Sequence, residues 1–408
     1  MTSSTVLPVR AERLLADLRH IRRIGAVGSG VSRGAFTDAD IAARQWLAQQ
    51  MRAAGLEPRV DPAGNLFALP PGEAPSLLIG SHSDTQPLGG WLDGIYGVMV
   101  GLEVARAALE AGPGAPRVAA VSFQDEEGRF GGLTGSRVWA GGLSLAEADG
   151  LSDAEGMGFA EARARAAEIA PLGEVPHSLF KGYLEAHIEQ GIVLDRNDQQ
   201  IGVVTDIVGM RTLQVTFRGE PNHAGTTPMA LRCDAVRAAA RFAQGLDADF
   251  APLLGADTVW TIGAFTVSPN APSIIPETAV LSLQMRDVED GRLERLAEAA
   301  TRRAEASAEA ERCEVALEVA VVLQATKMDP ALVEVCAQAA ARRLPAEAWR
   351  RMPSGALHDA SSVARVLPCG MIFVPSIAGI SHSPKEDTAD ADLATGLAVV
   401  AEAVGLIG

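Results

Sequence analysis

The chain contains 408 residues, of which 48% are hydrophobic and 21% charged, and its formal net charge is -16 at pH 7. This length predicts two domains rather than one core, and the composition excludes a disordered chain. Because the acidic balance comes without a block of like charge, we expect neither nucleic acid nor an anionic membrane surface as partner. The lack of a long apolar run and of a basic-then-apolar leader predicts a cytoplasmic protein.

Two amphipathic helices are predicted first, at Val9–Ile24 and Asp38–Ala54, the second with an N-cap at Thr37 and a stop at Gly55. Short apolar strands and helices then alternate, which is typical of a mostly parallel sheet flanked by helices in an α/β fold. The predicted strands are Ser76–Gly80, Val118–Phe123, Tyr183–Ile188 and Gly370–Val374. The predicted helices are Ile95–Leu109, Asp329–Arg342 and Leu393–Val404.

The middle of the chain has a different pattern, which predicts a two-layer α/β domain with an antiparallel sheet. Its predicted elements are the strands Thr212–Arg218, Thr258–Val267, Thr278–Arg286 and Glu314–Val322 and the helices Cys233–Gln244 and Arg292–Ala310. We therefore expect a discontinuous catalytic domain, residues 1–210 and 326–408, interrupted by an inserted lid or dimerisation domain, residues 211–325.

The positions of the histidines indicate a candidate functional site. Only seven histidines are present, and three of them follow or end predicted strands: His82, His187 and His382. The four cysteines are scattered without a CxxC pair, so a metal would have to be held by imidazole and carboxylate. The carboxyl ends of parallel strands meet at one edge of a sheet, and side chains placed there converge on one crevice.

Acidic residues accompany these histidines. Asp84 follows His82 closely enough to orient its imidazole, and Asp93 lies in a Gly-rich turn where a carboxylate can bridge two cations. Taken on its own, His82 is better explained as a core histidine beside a capping aspartate. The run Asp125–Glu127 needs a compensating cation, although a solvated acidic loop would also explain it. The Glu126–Glu127 doublet can supply two roles, one metal ligand and one general base.

Six segments together resemble the N-carbamoyl-L-amino-acid hydrolase, allantoate amidohydrolase and β-ureidopropionase group. They are GSHSDTQPLGGWLDGIYGV, DEEGRFGGLTGS, HIEQG, PNHAGTTPM, SGALHDA and GISHSPKED, between about residues 75 and 390. This group belongs to the aminoacylase–carboxypeptidase dinuclear metallohydrolase superfamily. The resemblance implies a metal-dependent amidohydrolase that cleaves a linear C–N bond of a small N-carbamoyl (ureido) or amide compound through a metal-bridged hydroxide.

The resemblance also implies a role for individual positions. One ion would be held by His82, Asp93 and His187, and the other by Asp93, Glu127 and His382. Glu126 would be the general base, Asp84 would orient His82, and His223 would stabilise the oxyanion of the neighbouring site across a homodimer interface. The substrate-binding set would be Gln190, His223, Asn270, Ser273, Arg286, Gly355, Ala356 and His358.

Two positions depart from the family pattern. Ser273 stands where the family has an asparagine that helps to hold the substrate carboxylate, and Leu357 replaces a glycine in SGALHDA. The substrate, which we expect to be small and anionic, therefore need not be a standard N-carbamoyl-α-amino acid. An allantoate- or ureidoglycolate-type amidohydrolase, a dipeptidase or aminoacylase, and a catalytically silent binding protein remain as alternatives. Two divalent ions per subunit are expected, zinc first, with manganese, cobalt or nickel also suited to these ligands.

Overall fold

The computed structural model describes residues 6–408, and these form two compact units. One unit comprises the residues up to Thr205 together with Lys327–Gly408, and the other comprises Asp206–Thr326. The predicted domain boundaries lie within a few residues of these limits.

The described residues contain twelve α-helices, and each of the longer ones buries an apolar face. They are α1 (Ala11–Ile21), α2 (Asp38–Ala53), α3 (Ile95–Ala111), α4 (Thr134–Trp139), α5 (Leu145–Asp149), α6 (Phe159–Arg163), α7 (Val193–Arg196), α8 (Ala235–Phe250), α9 (Asp290–Glu311), α10 (Pro330–Arg343), α11 (Asp359–Val363) and α12 (Asp390–Ile407). Short 3₁₀ turns occur at Ala164–Glu168, His177–Leu179, Met229–Leu231, Ala346–Ala348 and Ile377–Gly379.

Fifteen strands in the described part build three sheets. They are β1 (Ala26–Val27), β2 (Gly30–Val31), β3 (Glu57–Val60), β4 (Leu66–Leu69), β5 (Ser76–His82), β6 (Val118–Phe123), β7 (Phe180–Ile188), β8 (Ile201–Ile207), β9 (Gly209–Arg218), β10 (Val259–Ser268), β11 (Thr278–Asp287), β12 (Glu314–Leu323), β13 (Thr326–Lys327), β14 (Trp349–Ser354) and β15 (Cys369–Val374).

The large sheet has the order β13-β8-β15-β7-β5-β6-β4-β3, with β14 also paired to β8. Its centre is parallel, because β15, β7, β5 and β6 run in the same direction. Its margins are antiparallel, since β8 runs against β15, β4 against β6 and β3 against β4. The strands β5, β6 and β15 are buried along their whole length, as expected for a sheet covered on both faces.

Helix α3 packs on β5, β6 and β7, and α12 packs on α10 and β15. Most residues of α3 are buried, which explains its apolar sequence on all sides. The N-terminus of α2 is capped as predicted, because the side chain of Thr37 accepts a hydrogen bond from the backbone N–H of Asp40. These helices fix the ends of the central strands, where the candidate site lies.

The second unit is a four-stranded antiparallel sheet of order β10-β11-β9-β12 with α8 and α9 packed against its strands. Its core is formed by alternate strand residues and by the inner faces of the two helices, with Phe217, Phe242 and Phe250 among the fully buried side chains.

The predicted fold class, an α/β unit with an inserted antiparallel two-layer unit, is confirmed. The four central strands pair in parallel and β8, β4 and β3 pair antiparallel with their neighbours, so the large sheet as a whole is mixed. No helix in residues 6–408 is both long and apolar enough to cross a membrane.

Candidate metal centre

The five predicted metal ligands come from five separate segments of the first unit. His82 ends β5, Glu127 follows β6, and His187 lies near the end of β7. Asp93 lies in the turn before α3, and His382 lies in the loop between β15 and α12. Because β5, β6, β7 and β15 are parallel, these segments meet at the carboxyl edge of the sheet centre.

The structure brings all five side chains together in two groups that share one carboxylate. His82, Asp93 and His187 form one group, and Asp93, Glu127 and His382 form the other. Asp93 Oδ1 lies 3.2 Å from His187 Nε2 and 3.7 Å from His82 Nε2. Its Oδ2 lies 3.1 Å from His382 Nε2, which in turn is 3.5 Å from Glu127 Oε2. Asp93 thus offers a different oxygen to each group.

Two of the imidazoles are held through the ring nitrogen that faces away from Asp93. His82 Nδ1 lies 3.1 Å from the backbone carbonyl oxygen of Asp84, and His187 Nδ1 lies 2.9 Å from that of Ile188. With Nδ1–H as the donor, Nε2 is the nitrogen of each ring that faces the shared centre and would bind a cation there.

Asp84, predicted to orient His82, contacts two of the candidate ligands. Its carboxylate Oδ1 lies 3.5 Å from His82 Nδ1, farther than its own backbone carbonyl. Its Oδ2 accepts a 3.1 Å hydrogen bond from the backbone N–H of Glu127. Asp84 therefore links the position of His82 to that of the acidic segment after β6.

The pKa values of the carboxylates in this cluster are shifted because several acidic groups are buried close together. Burial, with the negative charge of Glu127, raises the pKa of Glu126 well above its usual value. Burial and the charge of Asp93 raise the pKa of Glu127 to about 7. Although burial opposes it, the hydrogen bonds from His187 and His382 hold the pKa of Asp93 well below normal. The cluster therefore retains protons that divalent cations would displace, and its donor set fits such ions.

Three further residues that the sequence did not single out hold the ligand segments in place. Gln86 donates to Glu127 through both its side-chain and its backbone N–H, at 2.9 and 3.1 Å. Arg33, which is buried, donates to the backbone oxygen of Ser83, next to His82, at 2.6 Å. Arg44, also buried, donates to the backbone oxygens of Ser122 and Phe123 at the end of β6.

Among the predicted substrate-binding residues of the first unit, Gln190 lies at the edge of the cluster. Its Nε2 is 3.0 Å from Asp93 Oδ2 and 3.2 Å from His382 Nε2. His358 is buried, with its ring centre 4.5 Å from that of His187, and its Nε2 lies 2.9 Å from Ser354 Oγ. Burial lowers the pKa of His358 well below normal, so its ring is neutral.

Gly355 and Ala356 precede His358 in an open turn, in which the backbone N–H of Ala356 donates to Ser354 Oγ at 3.1 Å. This turn lies between β14 and α11, with Gly355 exposed and Ala356 partly buried.

The other predicted substrate-binding residues lie in the second unit. His223 and Ser273 are neighbours there, because the backbone N–H of Ala224 donates to the Ser273 carbonyl oxygen at 3.0 Å. Asn270 lies at the start of the same loop, three residues before Ser273, with a left-handed backbone φ of 54°. Arg286, near the end of β11, donates from Nε to Gln284 Oε1 at 3.0 Å.

A mixed α/β unit with an inserted antiparallel unit, and with imidazoles and carboxylates in two groups at the sheet edge, defines a metal-dependent hydrolase of the dinuclear type. The chain belongs to the peptidase family M20/M25/M40, whose family model matches residues 78–405.

The chain is 36% identical to an N-carbamoyl-L-amino-acid amidohydrolase of Paenarthrobacter aurescens, over 97% of this chain and 98% of the relative. It is 34% identical to the allantoate amidohydrolase of Escherichia coli, over 91% and 92%. A crystal structure of an amidase of the hydantoinase/carbamoylase family from Burkholderia phymatum matches with a TM-score of 0.91 and 40% identity, over 99% and 98%. These likenesses confirm the predicted assignment to the carbamoylase-type amidohydrolases.

Proposed function

We propose that this enzyme hydrolyses the terminal C–N bond of a small N-carbamoyl (ureido) compound, an N-carbamoyl amino acid or a close analogue. The observation that carries the proposal is the position of Asp93, whose two carboxylate oxygens face the two ligand groups separately. The Paenarthrobacter relative, which matches over nearly its whole length, supports an N-carbamoyl substrate.

In the proposed centre, His82, Asp93 and His187 would hold one divalent ion, and Asp93, Glu127 and His382 would hold the other. Zinc is our first choice, with manganese, cobalt or nickel as alternatives that these ligands also accept. When bound, such a pair of ions polarises the substrate carbonyl and makes water acidic enough to lose a proton near neutral pH.

Glu126 is the proposed proton carrier. Its Oε2 lies 3.6 Å from His82 Nε2, so it borders the cluster without belonging to either ligand group. Because burial raises its pKa, this carboxylate suits both halves of the reaction. It takes one proton from the attacking water and passes it to the departing nitrogen. For a ureido substrate this step releases ammonia and leaves a carbamate, which then breaks down to carbon dioxide and an amine.

The proposed substrate site holds an anionic small molecule. Arg286 provides a guanidinium for its carboxylate, and Asn270 and Ser273 provide polar groups on the same unit. Gln190, His358 and the turn residues Gly355 and Ala356 would contact the ureido end.

His223 is the proposed donor to the oxyanion, supplied across the interface of a homodimer. Its exposed ring accepts hydrogen bonds at Nδ1 from the backbone N–H groups of Gly225 and Thr226, at 3.0 and 3.2 Å. The proton of the neutral ring must therefore be on Nε2, which makes Nε2 a donor toward developing negative charge.

Mixing two inactive variants tests this arrangement. A dimer of His223→Ala and Glu126→Gln chains has one site with both groups intact, so mixing should restore activity that neither variant shows alone. Mixing without recovery, where mixed dimers have been shown to form, would contradict donation across the interface.

A second candidate is a ureido acid of the allantoate or ureidoglycolate type. Ser273 and Leu357 favour it because they depart from the pattern expected for N-carbamoyl-α-amino acids, and the Escherichia coli relative is an allantoate amidohydrolase.

Ammonia release from the metal-reconstituted enzyme separates the candidates. The panel would hold N-carbamoyl-α-amino acids, N-carbamoyl-β-alanine, allantoate, ureidoglycolate and simple amides, with dipeptides and N-acyl amino acids followed by amine release. Turnover of the ureido compounds is expected. Turnover of dipeptides or N-acyl amino acids alone would contradict the proposal.

A further inference from the structure

Glu386, four residues after His382, is a buried carboxylate that is not among the candidate ligands. Its side chain is almost completely enclosed, with 2% of the residue exposed. An enclosed carboxylate is costly unless hydrogen bonds satisfy its oxygens, so its partners show what it does.

Each oxygen of Glu386 contacts a different ligand segment. Oε1 accepts hydrogen bonds from the backbone N–H groups of Leu92 and Asp93, at 3.0 and 3.1 Å. Oε2 accepts a 2.8 Å hydrogen bond from the hydroxyl of Ser381, the residue before His382. One side chain thus connects the Asp93 turn to the His382 loop, which are almost 300 residues apart in sequence.

The connections close into a ring that returns to Asp93. Ser381 Oγ also accepts from Gln190 Nε2 at 3.2 Å, and the same Nε2 donates to Asp93 Oδ2 at 3.0 Å. Asp93 is therefore held at its backbone by Glu386 and at its carboxylate by Gln190. The backbone at Gly90 packs directly against Glu386, because a Cβ atom on Gly90 would lie 1.9 Å from the Glu386 carboxyl group. Only glycine therefore fits at this position.

We infer that Glu386 is a positioning residue for the shared carboxylate of Asp93. Through its hydrogen bonds to Leu92, Asp93 and Ser381 it sets the separation of Asp93 from His382. It therefore sets the affinity for the ion that Asp93, Glu127 and His382 are proposed to hold. This inference rests on the proposed metal centre. Residues that orient metal ligands from behind typically contribute 10- to 100-fold to metal affinity, so the effect should be measurable in binding itself.

The test is calorimetric titration of chelator-stripped protein with Zn²⁺, together with the count of bound zinc per chain after dialysis. Glu386→Ala should bind one ion normally and the other about 10- to 100-fold more weakly. Glu386→Gln keeps an oxygen for the two backbone N–H groups and an amide for Ser381, so it should retain both ions. Ser381→Ala removes the hydrogen bond between Glu386 and the His382 loop, and it should weaken binding of the same ion as Glu386→Ala.

Glu103→Ala is the matched control, because Glu103 is an equally buried glutamate that accepts the backbone N–H of Arg10 and pairs with Arg13. This variant should lower thermal stability without changing zinc binding. Two tightly bound ions in Glu386→Ala and in Ser381→Ala would overturn the inference. If Glu386→Ala does not fold, the comparison of Ser381→Ala with Glu386→Gln decides. Failure of the unaltered protein to bind two ions would instead remove the proposed centre itself.

Discussion

Gly94 lies directly against the imidazole of His82: a Cβ atom built on Gly94 would come within 2.5 Å of three atoms of that ring. The same residue has a positive φ of 65°, immediately before α3, and its backbone N–H lies 3.1 Å from His187 Nε2. The turn that carries Asp93 can therefore pass this close to two of the candidate ligands only with glycine at position 94.

We expect Gly94→Ala to displace His82 and to abolish binding of the ion that His82, Asp93 and His187 are proposed to hold. The measurement is zinc content per chain together with the melting temperature. Gly112→Ala is the control, because Gly112 also has a positive φ, of 80°, but a Cβ atom there meets nothing within 4 Å. Both variants should lose stability from backbone strain, whereas only Gly94→Ala should lose zinc.

Glu126→Gln removes the proposed proton carrier but keeps the size and polarity of the side chain. We expect kcat to fall by about 10²- to 10⁴-fold, with KM and zinc content little changed, because Glu126 belongs to neither ligand group. Glu155→Gln, an exposed change in the same unit, should leave kcat unaltered. A Glu126→Gln enzyme with normal kcat would assign proton transfer to another group.

Metal affinity should depend on pH through the protons that the ligands hold. Burial raises the pKa of Glu127 to about 7, and the hydrogen bond with Asp93 raises the pKa of His382 to about 9. Both groups must be unprotonated to bind an ion, so protons compete below these values. Affinity should rise from pH 6 to pH 9, by about tenfold per pH unit for each proton released, and level off above pH 9. Zinc titrations across this pH range measure the effect. An affinity that does not change with pH would contradict the assignment of Glu127 and His382 as metal ligands.

Arg44 and Asp40 form an ion pair, 3.0 Å apart, in which neither side chain is exposed. We expect Arg44→Met to cost about 3–5 kcal/mol of unfolding free energy, because it removes the cation that pairs with the buried Asp40 carboxylate. Adding Asp40→Asn should recover part of this loss. The exposed pair Arg302–Glu298 gives the control, in which Arg302→Met should change stability by less than about 1 kcal/mol. Chemical denaturation of the unaltered protein and of these three variants gives these values.

Ser273→Asn restores the amide of the family pattern in the loop beside His223. We expect a lower KM for N-carbamoyl-α-amino acids, about tenfold, since an amide can donate a further hydrogen bond to the substrate carboxylate. The measurement compares kcat/KM for these compounds and for allantoate in both enzymes. An equal change for all substrates would mean that position 273 does not discriminate between them.

The central strands and the candidate ligands could be predicted from sequence because each carries a local signal. β5, β6 and β15 are continuous apolar runs, and His82, His187 and His382 are rare residues at strand ends. The strand β3 was missed because Glu57–Val60 contains charge and proline, and its pairing with β4 rather than its composition makes it a strand.

Glu386, Arg33 and Arg44 were missed for a different reason. Charged residues are normally exposed, and nothing in their own sequence segments indicates that they are enclosed. Their roles depend on partners far away along the chain, such as Ser83 for Arg33, Phe123 for Arg44 and Leu92 for Glu386, which are 50, 79 and 294 residues distant. Only the assembled sheet makes those contacts visible.

The order of strands has a consequence for how the molecule is made. β7 and β8 follow each other in the chain, yet β15 lies between them in the sheet. A growing polypeptide can align β5, β6 and β7 early, but β8 has no neighbour in that group until β15 has been synthesised. His382, which follows β15, is also the last of the five ligands to leave the ribosome. Incomplete chains therefore lack one ligand of the group formed by Asp93, Glu127 and His382, and that group is complete only when synthesis is nearly finished.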